Sequence, residues 1–188
     1  RLMRNIMISR VYQLHSSPLP ENATDTRLYL HYNVKRLPAE VLLDGIDDAV
    51  GTQERFTGVP LGTRAIELPD SNFTSYFLDT TGRPKRVITC ECERTSTPNL
   101  AAVLHLVNGD LIQRKLTDKT NRIAGFIGNK TSPEDAIREL YLVTFSRPPS
   151  DDEVAAAASH IATAESPQQG YEDILWALIN SREFLFNH

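Results

Sequence analysis

Apolar residues recur at three- and four-residue steps through most of the chain, the spacing that places them on one face of an α-helix. The first such stretch runs from Arg1 to about Leu14. Its apolar face would use Leu2, Met3, Ile6, Met7 and Val11. Polar residues around Ser16-Ser17-Pro18 then interrupt the pattern. The spacing therefore predicts an N-terminal helix with one apolar face.

A second helix is predicted to begin at Pro38, because a proline fits the first turn, where its missing N–H would have no partner anyway. Gly51 suits the left-handed position that often follows the last turn of a helix. Four residues would form the inner stripe of this helix: Val41, Leu42, Ile46 and Val50.

Residues 52 to 96 interrupt the helical pattern. The early part is rich in glycine and proline, with a short strand expected at Ala65-Ile66-Glu67-Leu68. Ser71 would cap a short helix that ends near Leu78, and the stretch from Lys85 to Cys92 leans towards β-structure. A long irregular excursion of this kind tends to be either functional or poorly ordered.

Helical signals dominate from Thr97 onward. Ser132-Pro133-Glu134-Asp135 combines a capping serine, a proline in the first turn and acids that oppose the helix dipole, and Ser150-Asp151-Asp152-Glu153 begins another helix similarly. The last helix is expected from Tyr171 to about Phe184. An earlier helix after Thr97-Pro98 would turn four residues inward: Leu100, Val103, Leu104 and Val107. We therefore predict a mainly α fold, an irregular multi-helix bundle with a long excursion of loop and short strand.

Length and charge narrow the class of protein. A chain of 188 residues suits one domain over 1–188, with the excursion at about 52–96. The net charge of −4 argues against nucleic-acid binding, which leaves a basic footprint. Because no apolar run approaches the ~20 residues needed to cross a bilayer, no transmembrane segment is expected. The chain opens inside a helical pattern, so we expect it to be the C-terminal part of a larger protein.

The run Cys90-Glu91-Cys92-Glu93-Arg94 is the place where chemistry is most expected. Cysteines at this spacing can fill buried space, form a disulfide or redox pair, or bind a soft metal. Zinc takes four ligands and usually has two or more residues between cysteines. Haem attachment needs two intervening residues and a following histidine, which this run lacks. We favour a structural role, with disulfide or redox chemistry as the first alternative and metal binding as the second.

Glu91 and Glu93 would lie on one side of an extended segment, with the cysteines and Arg94 on the other. Two carboxylates can divide acid–base work when their environments separate their pKa values, although solvated carboxylates and ion pairs are commoner. His105, in the helix that follows, is the histidine of most interest, and a hydrogen-bonded core position is its commoner role. The predicted functional cluster is Cys90, Glu91, Cys92, Glu93, Arg94 and His105.

Arg83, Lys85 and Arg86 form a small basic cluster around a proline. It could contact an anion, an acidic sugar or an acidic partner, and a solvated turn explains it equally well. The chain has no nucleophile elbow, phosphate-binding loop, dinucleotide fingerprint or zinc-protease motif. We therefore expect no cofactor and no metal in this part of the protein.

Three stretches, taken together, resemble one protein family. They are Arg36-Leu37-Pro38-Ala39-Glu40 with Asp44, then Cys90 to Arg94 followed by Leu104 to Gly109, and finally Tyr141-Leu142 with Arg147-Pro148-Pro149 and the segment from Leu175 to His188. In combination they are similar to the C-terminal "PSD" domain of unknown function in large exported proteins of planctomycetes and related bacteria. The resemblance spans nearly the whole chain.

The resemblance implies an export signal and a second uncharacterised domain upstream, often with a cytochrome-c-like module. It therefore implies a periplasmic, cell-surface or secreted location, where Cys90 and Cys92 could be oxidised. It brings no catalytic residues with it, and any haem would belong to another part of the parent chain.

Three hypotheses follow. The first is a non-catalytic helical module that packs against, or presents, the other domains of an exported multidomain bacterial protein. The second is part of a surface enzyme acting on polysaccharide or a sulfated glycan, which would bring Glu91 or Glu93 near Arg94 and His105. The third is a redox or metal site at Cys90 and Cys92. The oligomeric state and any glycan ligand are open at this point.

Overall fold

The structure is a computed structural model that describes residues 1–25, 27–85 and 100–187, with every side chain in these ranges except that of His105. The helices in chain order are α1 (Leu2–Met7), α2 (Ala39–Val50), a 3₁₀ turn (Ala65–Glu67), α3 (Tyr76–Thr80), α4 (Leu100–Asn108), α5 (Asp110–Leu116), α6 (Arg122–Asn129), α7 (Pro133–Phe145), α8 (Asp151–Thr163), α9 (Pro167–Ile179) and α10 (Arg182–Leu185). The prediction of a mainly α, multi-helix fold is confirmed.

Two short strands, β1 (Lys35–Arg36) and β2 (Phe186–Asn187), pair in antiparallel fashion. The chain divides into two compact units. The N-terminal unit comprises Arg1–Leu37 with Phe186–His188, and the helical unit comprises Pro38–Leu185. The prediction of a single domain over 1–188 stays a prediction.

The N-terminal unit has no buried side chain among its described residues. Helix α1 ends at Met7 because the Ser9 hydroxyl donates to the Ile6 carbonyl and accepts from the Tyr12 amide, replacing continued helical bonding with a turn. The apolar face predicted for this helix is exposed, with Leu2 at 75% and Met3 at 81%. Apolar spacing thus predicts a helix here correctly, but the helix is shorter than expected.

One carboxylate organises the loop in the middle of the N-terminal unit. The Asp25 side chain accepts backbone N–H groups from Leu28 and Leu30, both at 2.9 Å, and from Arg27 at 3.2 Å. These hydrogen bonds, that from Leu30 foremost, hold the pKa of Asp25 below its usual range. The loop is therefore shaped by polar contacts at the surface.

The helical unit has a conventional core built around α2 and α9. Helix α2 packs against the 3₁₀ turn, α3, α5, α7 and α9, while α9 also packs against α6, α8 and α10. The largest fully buried apolar side chains are Leu42, Leu43, Ile46, Phe77, Leu78, Ile112, Ile123, Ile137, Leu140, Leu175 and Ile179. Burial of such side chains supplies most of the stability of a domain of this size.

Helix starts in this unit follow the sequence signals closely. The hydroxyls of Ser132, Ser150 and Ser166 each accept a backbone N–H from the third residue of the helix that follows. The first two starts are as predicted. The third begins α9 at Pro167, so the sequence reading that placed the start of this helix at Tyr171 is wrong by one turn.

The close approach of α8 and α9 depends on Gly170. A Cβ atom at this position would lie 2.9 Å from the Cα atom of Ile161, closer than real contacts allow. Glycine therefore lets the two helix backbones meet directly.

The 52–96 excursion differs from prediction in its described part. Residues 65–67 form a 3₁₀ turn because the buried Asp44 carboxylate, from α2, accepts the N–H groups of Ala65 at 2.7 Å and Ile66 at 3.1 Å. This removes those groups from any strand ladder, so the predicted strand is wrong. The next helix, α3, is capped by Ser75 rather than Ser71.

Helix α4 turns a different face inward from the one predicted. Ala102 and Leu106 are buried, whereas Leu100, Val103 and Leu104 are exposed. At its C-terminal end the indole N–H of Trp176 donates to the Val107 carbonyl at 3.1 Å. This contact fixes the end of α4 against α9.

Candidate functional site

The cluster predicted from the sequence falls largely outside the described residues. Cys90, Glu91, Cys92, Glu93 and Arg94 all lie between 85 and 100, and only the backbone of His105 is described, within α4. The structural, redox and metal-binding roles suggested for Cys90 and Cys92 stay predictions.

The basic cluster is described in part. The Arg83 side chain is only 5% exposed, and its Nη2 donates to Asp79 Oδ1 at 2.6 Å and to the Phe73 carbonyl at 2.9 Å. Lys85 is exposed, and its carbonyl accepts from the Ser71 hydroxyl at 2.6 Å. Arg86 lies outside the described residues. Arg83 thus holds the turn after α3, and an anion or partner contact at this cluster stays a prediction.

A cavity of about 630 Å³ lies beyond the C-terminal end of α2, lined by Asp47, Asp48, Gly51, Thr52, Gln53, Arg55, Leu61, Asp118, Thr120 and Arg122. Most of its charged groups are neutralised within the protein. Lys115, which is 7% exposed, contacts Asp47 Oδ1 at 2.6 Å and Glu54 Oε2 at 2.9 Å. Burial raises the pKa of Asp47, while the hydrogen bond from Lys115 opposes that shift.

Arg122 completes this arrangement by capping α2 from α6. Its Nε donates to the Ala49 carbonyl at 3.1 Å and its Nη2 to the Asp48 carbonyl at 3.0 Å, while Nη1 donates to Glu139. A cation at the last carbonyls of a helix opposes the negative end of its dipole. We interpret this region as a stabilising junction, because most of its charged side chains bind other groups of the protein. Among the described side chains that line the cavity, Arg55 is the charged group that forms neither an ion pair nor a hydrogen bond with another described residue.

A second ionic cluster joins the start of α8 to α10. Arg147 donates to both carboxylate oxygens of Glu153, at 2.8 and 2.9 Å, and to both of Glu183, at 2.6 and 2.9 Å. The hydrogen bonds from Arg147, followed by that from the Ser150 backbone N–H, lower the pKa of Glu153 to about 2. The guanidinium carbon of Arg147 also lies 5.6 Å from the Tyr141 ring centroid and 5.4 Å from that of Phe145. The site is saturated by protein groups, so we assign it a structural role.

The excursion and α5 form a groove, which we call the Arg55 groove. It consists of two neighbouring cavities that share Arg55 and Thr74. The larger, of about 410 Å³, is lined by Glu54, Arg55, Phe56, Thr74, Ser75, Tyr76, Phe77, Asp110, Leu111 and Arg114. The smaller, of about 280 Å³, adds Thr57, Asp70, Asn72 and Phe73.

Aromatic rings and exposed arginine side chains lie together in this groove. Phe56 and Phe73 pack edge to face with centroids 6.5 Å apart, and the Tyr76 side chain is 68% exposed. Arg55 and Arg114 are exposed, and neither forms an ion pair with the side chains that the structure describes. The groove could not be predicted from the sequence, because its residues come from separated stretches that share no motif. The available signal was the glycine- and proline-rich excursion itself.

Within residues 1–25, 27–85 and 100–187, no group of three or more His, Cys, Asp and Glu side chains is arranged to hold a metal ion. The same ranges contain no helix long and apolar enough to cross a membrane.

Comparison with known proteins gives a single family. The family model described as PSD1, a protein of unknown function (DUF1553), matches residues 1–161. The match covers both α1 and the helices of the larger unit through most of α8. Searches of curated proteins and of solved structures found no match.

Proposed function

The chain belongs to the PSD1 family of proteins of unknown function, and from this premise we propose that it is a non-catalytic helical module that packs against the other domains of a larger exported protein. One observation carries the proposal, namely the contrast between a well-packed helical unit and an N-terminal unit whose apolar side chains have no core. The N-terminal unit is the surface through which the module docks.

The exposed apolar residues of this unit support the proposal. The large hydrophobic side chains exposed there are Leu2, Met3, Ile6, Met7, Ile8, Val11, Tyr12, Leu19, Leu28, Tyr29, Leu30 and Val34. Each is at least 40% exposed. Apolar surface gains about 25 cal/mol for every Å² removed from water, so covering so many side chains strongly favours docking. Dense apolar exposure of this kind marks interaction surfaces on folded proteins.

The positive charge of the N-terminal unit suggests which side chains line the surface that receives it. Residues 1–37 contain six arginines and lysines against two acidic residues, with Arg1, Arg4 and Arg10 interspersed among the exposed apolar side chains of α1 and the turn after it. We expect a receiving surface that is apolar at its centre and acidic at its rim, as interfaces of mixed composition commonly are.

A binding experiment between the 188-residue chain and the separately produced remainder of its parent protein tests the proposal. Met3→Glu places a charge on the exposed face of α1 and should weaken binding at least tenfold. Leu142→Glu is the matched control, because Leu142 is exposed on α7 in the helical unit. Absence of binding by the unaltered chain, or an equal loss with both variants, would overturn the proposal.

Hydrogen exchange supplies a second, independent measurement. Amides in residues 2–34 should exchange quickly in the 188-residue chain and slowly in the parent protein, since docking would bury them. Equal exchange rates in the two proteins would contradict docking through this unit.

We also propose a periplasmic, cell-surface or secreted location. Its support is the resemblance of the three sequence stretches to domains of exported proteins. Recovery of the parent protein in the envelope or secreted fraction is expected, and recovery in the cytoplasmic fraction would refute it. A thiol count before and after reduction separates a disulfide at Cys90 and Cys92 from free thiols.

A further inference from the structure

The Arg55 groove goes beyond the proposed docking function, because it lies wholly in the helical unit and uses different residues. We propose that this groove binds an uncharged sugar chain. Aromatic rings, hydrogen-bond donors and hydrogen-bond acceptors lie together in its two neighbouring cavities.

Sugar rings present apolar C–H faces and a rim of hydroxyl groups that both donate and accept hydrogen bonds. Aromatic side chains offer flat apolar surfaces that match the C–H faces. Tyr76 is exposed at the larger cavity, which Phe56 also lines, and Phe73 lines the smaller cavity. Phe56 and Phe73 are both half-buried. A volume of about 410 Å³ in the larger cavity falls within the usual range for small-ligand sites.

The polar groups of the groove include both the donors and the acceptors that sugar hydroxyl groups need for hydrogen bonds. Arg55 and Arg114 have guanidinium donors directed to no carboxylate among the described residues, although Arg114 Nε donates to the Asp110 carbonyl at 3.3 Å. The carboxylate of Asp70 is an acceptor in the smaller cavity and that of Asp110 in the larger, and Asp70 Oδ1 accepts the Asn72 amide at 2.8 Å. The third carboxylate, that of Glu54, pairs with Lys115, whose single positive charge it shares with Asp47.

Charge balance favours an uncharged chain over an acidic one. Among the side chains that the structure describes, the charges of Arg55 and Arg114 are offset by the carboxylates of Asp70 and Asp110, so these groups together carry little net charge. The helical unit as a whole has 22 acidic residues against 14 arginines and lysines. The negative charge of the helical unit would repel a sulfated chain, a nucleic acid or an acidic peptide, whereas it would not repel a neutral sugar.

The test is a titration of the 188-residue chain, followed by amide NMR shifts, with neutral hexasaccharides of glucose, xylose and mannose. Chondroitin sulfate and polygalacturonate hexasaccharides serve as acidic probes, and a glutamate hexapeptide represents acidic peptides. At least one neutral chain should bind and shift the amides of Phe56, Thr74 and Arg114. Failure of every neutral chain at millimolar concentration, or tighter binding of an acidic probe, would overturn the proposal.

Variants separate the groove from general surface effects. Arg55→Ala and Tyr76→Ala should each weaken binding about tenfold, the loss expected for one hydrogen bond to a charged group or one stacked ring. Arg138→Ala and Tyr12→Ala are matched controls, because both side chains are exposed and outside the groove. Since Tyr76 belongs to a short helix, Arg55→Gln provides a second variant at an exposed position. Equal losses in the groove variants and in their controls would exclude a specific site.

Discussion

The two units of this molecule contain similar apolar patterns and use them in opposite ways. In α2, residues spaced as helix neighbours form a buried face that includes Leu42, Leu43 and Ile46. In α1, the same kind of spacing leaves Leu2 and Ile6 exposed. The difference teaches that periodicity indicates an apolar helical face, while burial of that face depends on what packs against the helix.

The largest expected effect comes from truncating one core side chain in each unit. Leu43→Ala should lower the free energy of unfolding by about 2–5 kcal/mol, because it leaves a cavity at a fully buried position. Leu2→Ala should change it by less than about 0.5 kcal/mol, because Leu2 is exposed. Urea denaturation of both variants measures the difference. A comparable loss for Leu2→Ala would show that the N-terminal unit has a core of its own.

Two aspartates sharpen the same comparison, since each accepts backbone N–H groups from a loop. Asp44→Ala leaves the amide of the buried Ala65 without its acceptor and should cost about 1–3 kcal/mol in urea denaturation. Asp25→Ala should leave global unfolding unchanged and alter only the amide NMR shifts of Leu28 and Leu30. Should Asp25→Ala lower the unfolding midpoint as much as Asp44→Ala does, the loop would belong to a cooperative core.

A pair of glycines tests how tightly the helical unit is packed. Gly170→Ala should destabilise it by about 1–3 kcal/mol, because the new Cβ would force α8 and α9 apart. Gly125→Ala, in α6, should stabilise it by about 0.5–1 kcal/mol, since open space surrounds that position and alanine favours helix. Thermal unfolding distinguishes these opposite signs, and a stabilising Gly170→Ala would refute the close crossing.

The smallest effect is a pH dependence at the Arg147 cluster. Because the folded pKa of Glu153 is about 2, below its ordinary value of 4.5, its contribution is complete above pH 4.5 and is lost as the pH falls towards 2. The side chains of Arg147 and Glu153 are both partly exposed, so we expect their pairing to contribute about 1 kcal/mol to the free energy of unfolding. Arg147→Gln should flatten the decline in unfolding free energy over this window. An unchanged slope in the variant would exclude the pairing as its source.

Sequence reading predicted most of the helical unit because its signals are local. Ser132-Pro133 and Ser150 begin helices through hydrogen bonds to amides three residues away, and Gly51 adopts φ of 79° after α2. Ser166-Pro167 carries the same signal, although the last helix was expected to begin only at Tyr171. Gly170, within the first turn of α9, serves the contact with α8.

The remaining differences have non-local causes. The 3₁₀ turn at Ala65 depends on Asp44, 21 residues earlier, so no local pattern predicts it. The inward face of α4 is set by what packs against Ala102 and Leu106, and larger apolar neighbours stay exposed. The Arg55 groove likewise combines the excursion with Arg114 of α5. Its residues carry no shared spacing from which a site could be inferred.

The contact between Trp176 and the end of α4 has a practical consequence for spectroscopy. The chain has one tryptophan, and its indole is held in the helical unit by the Val107 carbonyl. Fluorescence excited at the red edge of the indole band therefore reports on that unit alone, whereas the N-terminal unit contributes only tyrosines. The molecule therefore carries one optical label, in the helical unit, and unfolding of that unit can be followed without a signal from the N-terminal unit.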